Sequence, residues 1–337
     1  MNAPSWHVFL GGGEPRPQAW DGVPKPMSAR AFDGTPLDYT PAGAVPQTER
    51  RLGTEGIGAH QLRPADLDVI NAAILCRRPL LVTGAPGLGK SSLAYLIARE
   101  LALGPVLHWP ITSRSTLGDG LYTYDAMRRF EEAQLTRRWW RDPRAGIADF
   151  VTLGPLGTAL LPSHRPRVLL IDEIDKADAD LPNDLLHVFE DGEYTINELR
   201  RIRAYRPQVS VVAHDAGRQV PITDGFVRCH AFPIVVMTSN GDREFPPAFL
   251  RRCLMLKLEE PDRDQLERLV ASHFGSEVPR EYDDIIATFL QRRADLGALP
   301  ADRLLTALHV LTHAGGDATL DRQSLARTLL QPIGPGD

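Results

Sequence analysis

Residues 79–92 read Pro79-Leu80-Leu81-Val82-Thr83-Gly84-Ala85-Pro86-Gly87-Leu88-Gly89-Lys90-Ser91-Ser92. An apolar run enters Gly-x-x-x-x-Gly-Lys-Ser, and helix formers at helical spacing continue to Ala98. That is a buried strand, a glycine-rich loop and a helix in sequence. Gly84, Gly87 and Gly89 let the backbone curl so that its N–H groups form a nest for anionic oxygens, with Ala85, Pro86 and Leu88 between them. The helix start adds partial positive charge. In such a loop Lys90 reaches the β- and γ-phosphates of ATP, the Ser91 hydroxyl holds Mg²⁺, and Ser92 follows on the first helical turn. A chance glycine turn would not need both the strand and the helix.

About eighty residues on, Arg167-Val168-Leu169-Leu170-Ile171-Asp172-Glu173 is an apolar run ending in two acids. A central strand buried on both faces has this pattern. Its acids emerge at the carboxyl end, where ligands sit in open α/β sheets. Asp172 is placed to hold Mg²⁺ through water, and Glu173 to polarise an attacking water. A further strand, Phe232 to Thr238, leads to Ser239-Asn240-Gly241. Asn240 reads equally well as a group orienting that water and as a turn residue before glycine.

The chain has 337 residues and a formal net charge of −5. That charge argues against bulk attraction to nucleic acid or anionic membrane. Lysine occurs only at positions 25, 90, 176 and 257, two of them in or next to the nucleotide motifs. Cys76, Cys229 and Cys253 are widely spaced and fit buried reduced thiols rather than a disulfide framework or a zinc site. No apolar run reaches the roughly 18–20 residues of a membrane span. The first residues lack the charged and apolar regions of a signal peptide, so a cytoplasmic location is expected.

Residues 1–58 are dense in Pro and Gly and predict an extended or poorly ordered arm. The aromatic residues Trp6, Phe9, Trp20, Phe32 and Tyr39 predict that parts of it dock on a surface, with a neighbouring subunit's as one candidate. Residues 59–260 hold the nucleotide motifs, with strands also at 106–109 and 254–258. Two inserts interrupt them. Residues 112–150 are polar and Arg-rich, with one helix from Asp125 to Arg138 and the pair Trp139-Trp140. Residues 197–231 alternate as a β-hairpin does. From 261 to 337 the pattern is helical, over 264–274, 280–294, 302–312 and 321–330.

Taken together, Gly84–Ser91, Leu153-Gly154-Pro155-Leu156, Leu170–Lys176, Leu185–Ile196, Thr238–Asn240 and Phe245–Cys253 resemble an AAA+ ATPase, within that class most closely the MoxR-like group related to the McrB and dynein branch. The resemblance spans roughly residues 60–315. It implies an α/β P-loop NTPase core with a central parallel five-stranded sheet flanked by helices, and a small C-terminal α-helical lid domain. It implies that Phe245–Cys253 presents an arginine finger to the neighbouring subunit's γ-phosphate. Arg252 matches the position, and Arg251 stands where the group often has an acid, so either arginine is a candidate. Arg303 resembles the sensor 2 arginine of the small domain. Thr112 and Ser113, after the second strand, are candidates to hold Glu173 idle until substrate arrives.

The resemblance further implies a homo-oligomeric ring, with six subunits as the expected size, that remodels or activates a separately encoded protein partner in chaperone or defence work. The alternative is an ATP-gated switch or scaffold whose slow turnover only resets it. A nucleic-acid translocase is disfavoured by the net charge.

Overall fold

The computed structural model describes residues 4–37, 52, 62–136, 146–215, 218–296, 299–314 and 322–330. In chain order the strands are β1 (Leu80–Thr83), β2 (Leu107–Pro110), β3 (Tyr122–Tyr124), β4 (Val151–Leu153), β5 (Val168–Asp172), β6 (Glu193–Thr195), β7 (Gln208–Val212), β8 (Gln219–Thr223), β9 (Phe226–Arg228), β10 (Ile234–Ser239) and β11 (Leu254–Lys257). The longer helices are α1 (Pro64–Cys76), α2 (Ser92–Glu100), α3 (Ala126–Thr136), α4 (Leu181–Asp191), α5 (Arg263–Phe274), α6 (Asp283–Leu296), α7 (Ala301–Ala314) and α8 (Arg322–Leu329).

β5 shows why the central sheet forms. Its side chains alternate between two cores: Val168 and Leu170 pack toward α1 and α2, Leu169 and Ile171 toward the opposite face. A strand buried on both sides needs helices or a second layer over each face. The sheet order is β11-β1-β10-β5-β2, and every pair is parallel. Thr83 pairs with Ser239 and with Lys257, and Pro110 pairs with Asp172. All five carboxyl ends therefore open on one edge, and the motif loops follow from that edge.

One face carries α1 and α2. The other packs on a second sheet of six strands, in the order β3-β4-β7-β8-β9-β6. Inserts 112–150 and 197–231 build most of it, and Val151, Leu153, Tyr194, Val211, Val220, Ile222 and Val227 share one core with Trp109, Leu169 and Met237. Both inserts thus contribute buried side chains to this core. The hairpin predicted in the second insert is present as β7–β8, and the sheet extends through an Asp224-Gly225 turn with φ of 54° and 66°. Two successive positive φ values turn with the twist of the strands, which is the geometry that selects Asp-Gly. Short polar strands in the first insert gave too little alternation to be read.

The described part of the arm docks on a surface, as its aromatic residues predict, and that surface includes the chain's own helices. Phe9 is fully buried beside Ile70 and Leu96. Asn71 accepts from the Val8 and Phe9 N–H groups, both at 2.8 Å, and donates to Phe9 and Leu67 carbonyls. Buried Glu100 accepts from Leu10, Gly13 and Arg16. Further along, Phe32 stacks on Phe232 with ring centroids 5.3 Å apart. Tyr39, Trp139 and Trp140 lie outside the described residues.

α5 to α8 have a core of their own, including Leu266, Val270, Ile286, Phe289, Leu304, Leu308 and Ala326. α5 starts on a reciprocal cap, in which Asp262 accepts from the Gln265 N–H at 2.8 Å and Gln265 accepts from the Asp262 N–H at 2.9 Å. Such a pair satisfies two donors that the first helical turn leaves open. Among the described residues no helix is long and apolar enough to cross a membrane.

Candidate functional site

β1 delivers the glycine loop and α2 receives it. Gly84, Gly87 and Gly89 all have positive φ. A Cβ at Gly87 would meet Pro300 at 2.7 Å, so the loop also touches the chain just before α7. Lys90 is buried, and its three N–H donors are all used: Gly84 O at 2.7 Å, Ala85 O at 2.8 Å and Asn240 Oδ1 at 2.8 Å. Burial lowers its pKa, and the nearby carboxylates, Asp175 first, work in the opposite direction.

Asp172 ends β5. Its Oδ1 accepts from the Ser91 hydroxyl at 2.6 Å and from the Thr238 hydroxyl at 2.7 Å, and His108 Nε2 lies 3.3 Å from Oδ2. Burial alone would raise this carboxyl, but hydrogen bonds from His108, Ser91 and Thr238 outweigh it and hold the pKa at about 2. Three polar partners that favour the charged form explain the sign. The carboxylate is therefore ionised at neutral pH.

Glu173 follows in the left-handed region, with φ 61°, and its N–H donates to Thr238 Oγ1 at 2.8 Å. Thr238 thus ties both acids to β10. The Glu173 carboxylate is directed to Lys176 at 2.6 Å, both side chains being exposed. Thr112 instead bonds Ser115 and the Arg114 N–H, so the expected hold of Thr112 on Glu173 is replaced by Lys176.

Arg252 pairs with Glu190 of α4 in the same chain and donates to Ala248 O at 3.2 Å. Arg251 is exposed, with no side-chain bond among the described residues. Arg303 is half-buried on α7. A cleft of ≈470 Å³ lies between the loop and the C-terminal helices, lined among others by Gly87, Gly89, Ser92, Leu258, Asp302 and Leu305. Arg303 is not among its lining residues, whereas its neighbour Asp302 is.

The structure therefore brings Gly84–Ser92, Asp172 and Asn240 into direct contact and leaves Glu173, Arg251, Arg252 and Arg303 at the periphery. Sequence reasoning gave no role to Thr238, His108, Lys176 and Glu190. Thr238 carried a signal as a hydroxyl near a strand end, and Lys176 as a lysine next to the acidic motif.

A parallel sheet of this order, with the loop serine already bonded to an acid two strands away, defines a nucleotide-binding protein of the P-loop class. The sequence narrows it. The model of the AAA domain family, dynein-related subfamily, matches residues 79–253, more than half of the chain, and the chain belongs to that family. Its members are ATPases in general. Among solved structures, one from Cytophaga hutchinsonii with a provisional ATPase description is 14% identical with a TM-score of 0.34, the match covering 66% of this chain and 53% of that one. The chain thus spans about half the length of that protein.

Proposed function

We propose that the protein binds ATP with Mg²⁺ and hydrolyses it, as a MoxR-like member of its family. In this reading it works as a homo-oligomeric ring, with a hexamer expected, and remodels or activates a separately encoded protein in the cytoplasm. The division into an arm (1–58), a nucleotide-binding domain (59–260) and a lid (261–337) belongs to the same proposal. One observation carries the reading: the circuit of hydrogen bonds Ser91–Asp172–Thr238 and Asn240–Lys90 at the strand ends.

The residues have these roles in it. The Gly84–Ser92 nest with Lys90 binds the phosphates. Ser91 and Asp172 suit Mg²⁺, since both offer hard oxygens and Asp172 stays charged. The ion, when bound, offsets phosphate charge. Glu173 leaves Lys176 to polarise water, Asn240 orients it, and Arg252 or Arg251 reaches a neighbour's nucleotide. Arg303 takes the sensor role that the resemblance gives it, on a helix whose Asp302 and Leu305 line the cleft beside the loop.

A second reading is favoured by one feature. Glu173 and Arg252 both sit in ion pairs within their own chain. A protein at rest in this state suits an ATP-gated switch with slow turnover.

Lys90→Ala is expected to abolish ATP binding. Glu173→Gln is expected to keep binding and slow hydrolysis by ~10²–10⁴. Equilibrium binding and steady-state phosphate release measure the two. Unchanged turnover in Glu173→Gln removes Glu173 from its role.

A further inference from the structure

We infer that Asp175 is a positioning residue that sets the Asn240 turn against the loop lysine. The inference rests on the hydrolytic reading above and adds a residue to it. β5 ends at Asp172, and the left-handed Glu173 starts a tight turn, Ile174–Lys176. The turn sends two neighbouring side chains opposite ways. Lys176 points out to Glu173, while Asp175 is only 5% exposed.

Asp175 Oδ2 accepts from three successive backbone N–H groups: Asn240 at 2.8 Å, Gly241 at 3.1 Å and Asp242 at 3.3 Å. One carboxylate oxygen thus holds the whole turn after β10. The Asn240 side chain leaves that turn toward Lys90 Nζ at 2.8 Å. Asp175, the Asn240 backbone, the Asn240 amide and Lys90 form one chain of contacts from the acidic motif to the phosphate loop.

The other oxygen, Oδ1, is buried with no hydrogen-bond partner among the described residues. A buried carboxylate with one orphaned oxygen is a poor choice for stability alone. The local gain is a fixed turn. Backbone N–H groups pinned on one acceptor leave Asn240 few ways to move, and preset donors and acceptors need no reorganisation when charge develops. Asp175 makes no hydrogen bond to the phosphate nest among the described residues; its charge acts on Lys90 through space, and its hold on the site's geometry passes through Asn240.

The test compares Asp175→Ala, Asp175→Asn, Asn240→Ala and the double variant Asp175→Ala/Asn240→Ala in the full chain, with ATP as substrate. Asp175→Ala is expected to lower kcat by about tenfold or more with KM within about threefold, the signature of a transition-state loss. Asp175→Asn keeps an acceptor for the turn and is expected to stay within about threefold of wild type in kcat. The double variant is expected to fall no further than Asn240→Ala, since residues that act as one unit are non-additive. Hydrogen exchange of the Asn240–Asp242 amides is expected to speed up in Asp175→Ala and not in Asp175→Asn. Multiplying losses in the double variant overturn the inference. So does an Asp175→Asn loss as large as that of Asp175→Ala; if Asp175→Ala does not fold, a loss of about tenfold or more in Asp175→Asn overturns it by itself. Wild type without turnover would sink the hydrolytic reading and this inference together. A slow Asn240→Ala beside a normal Asp175→Ala would sink this inference alone.

Discussion

Glu173 is the residue at which local rules and function diverge. A non-glycine residue at φ 61° is strained, at a cost of order 1–3 kcal/mol for such a conformation. The Thr238 hydroxyl holds it there by accepting its N–H while donating to Asp172. Two acids were legible at the end of β5; the hydroxyl that organises them came from a strand 65 residues later in the sequence. The cysteines offer a test at the same scale. Burial pushes the Cys229 and Cys253 thiols up to about 12, so both remain protonated and inert at neutral pH. Cys76 is half-buried. Native protein at pH 8 is expected to react with a thiol reagent at Cys76 alone, and denatured protein at all three. Rapid native labelling of Cys229 would contradict the packing of Phe32 and Gly192 around it.

Among elements, β5 joins the two sheets through its entry as well as its exit. Arg167, at 1% exposure, donates to Asp215 Oδ2 at 2.9 Å and to Pro105 O at 3.0 Å. Asp215 follows β7, so this pair ties the second sheet to the first. Removing one partner strands the other charge in the interior, a loss of about 3–5 kcal/mol. Asp215→Ala is expected to lower the chemical-denaturation midpoint accordingly with the m-value unchanged; a shift of under about 1 kcal/mol would show that water reaches Arg167. The arm gives the opposite lesson. Pro and Gly density predicted weak order, yet Asn71 and Glu100 supply the hydrogen bonds that its backbone cannot make to itself. Partners on distant helices were invisible to a window of local composition.

For the whole molecule, the exposed Arg252–Glu190 pair and the unengaged Arg251 bear on assembly. If an arginine acts in trans, a lone chain hydrolyses poorly and specific activity rises with protein concentration. Arg252→Ala is expected to bind ATP normally and lose ~10³-fold in turnover, as loss of an arginine finger does. Mixing supplies the decisive measurement. Lys90→Ala subunits keep Arg252, and Arg252→Ala subunits keep Lys90, so a co-assembled mixture is expected to contain some complete interfaces and to recover activity. Co-assembly without recovery would favour the switch reading, with Arg251 or a group in cis in its place.

The phosphate loop, the acid-ended strand, the parallel α/β core and the helical C-terminal part were all written locally, because each depends on spacing within a dozen residues or on one strand buried on both faces. Asp172 with Ser91, and Lys90 in its loop, could be named for the same reason. The tertiary structure alone decided the six-stranded second sheet, the surface on which the arm docks, and the pairings made by Thr238, His108, Asp175, Lys176 and Glu190. Long-range pairing and the hydrogen bonds of buried polar groups depend on which segments meet in space. No periodicity in the chain encodes that choice; closing the fold over a shared core does.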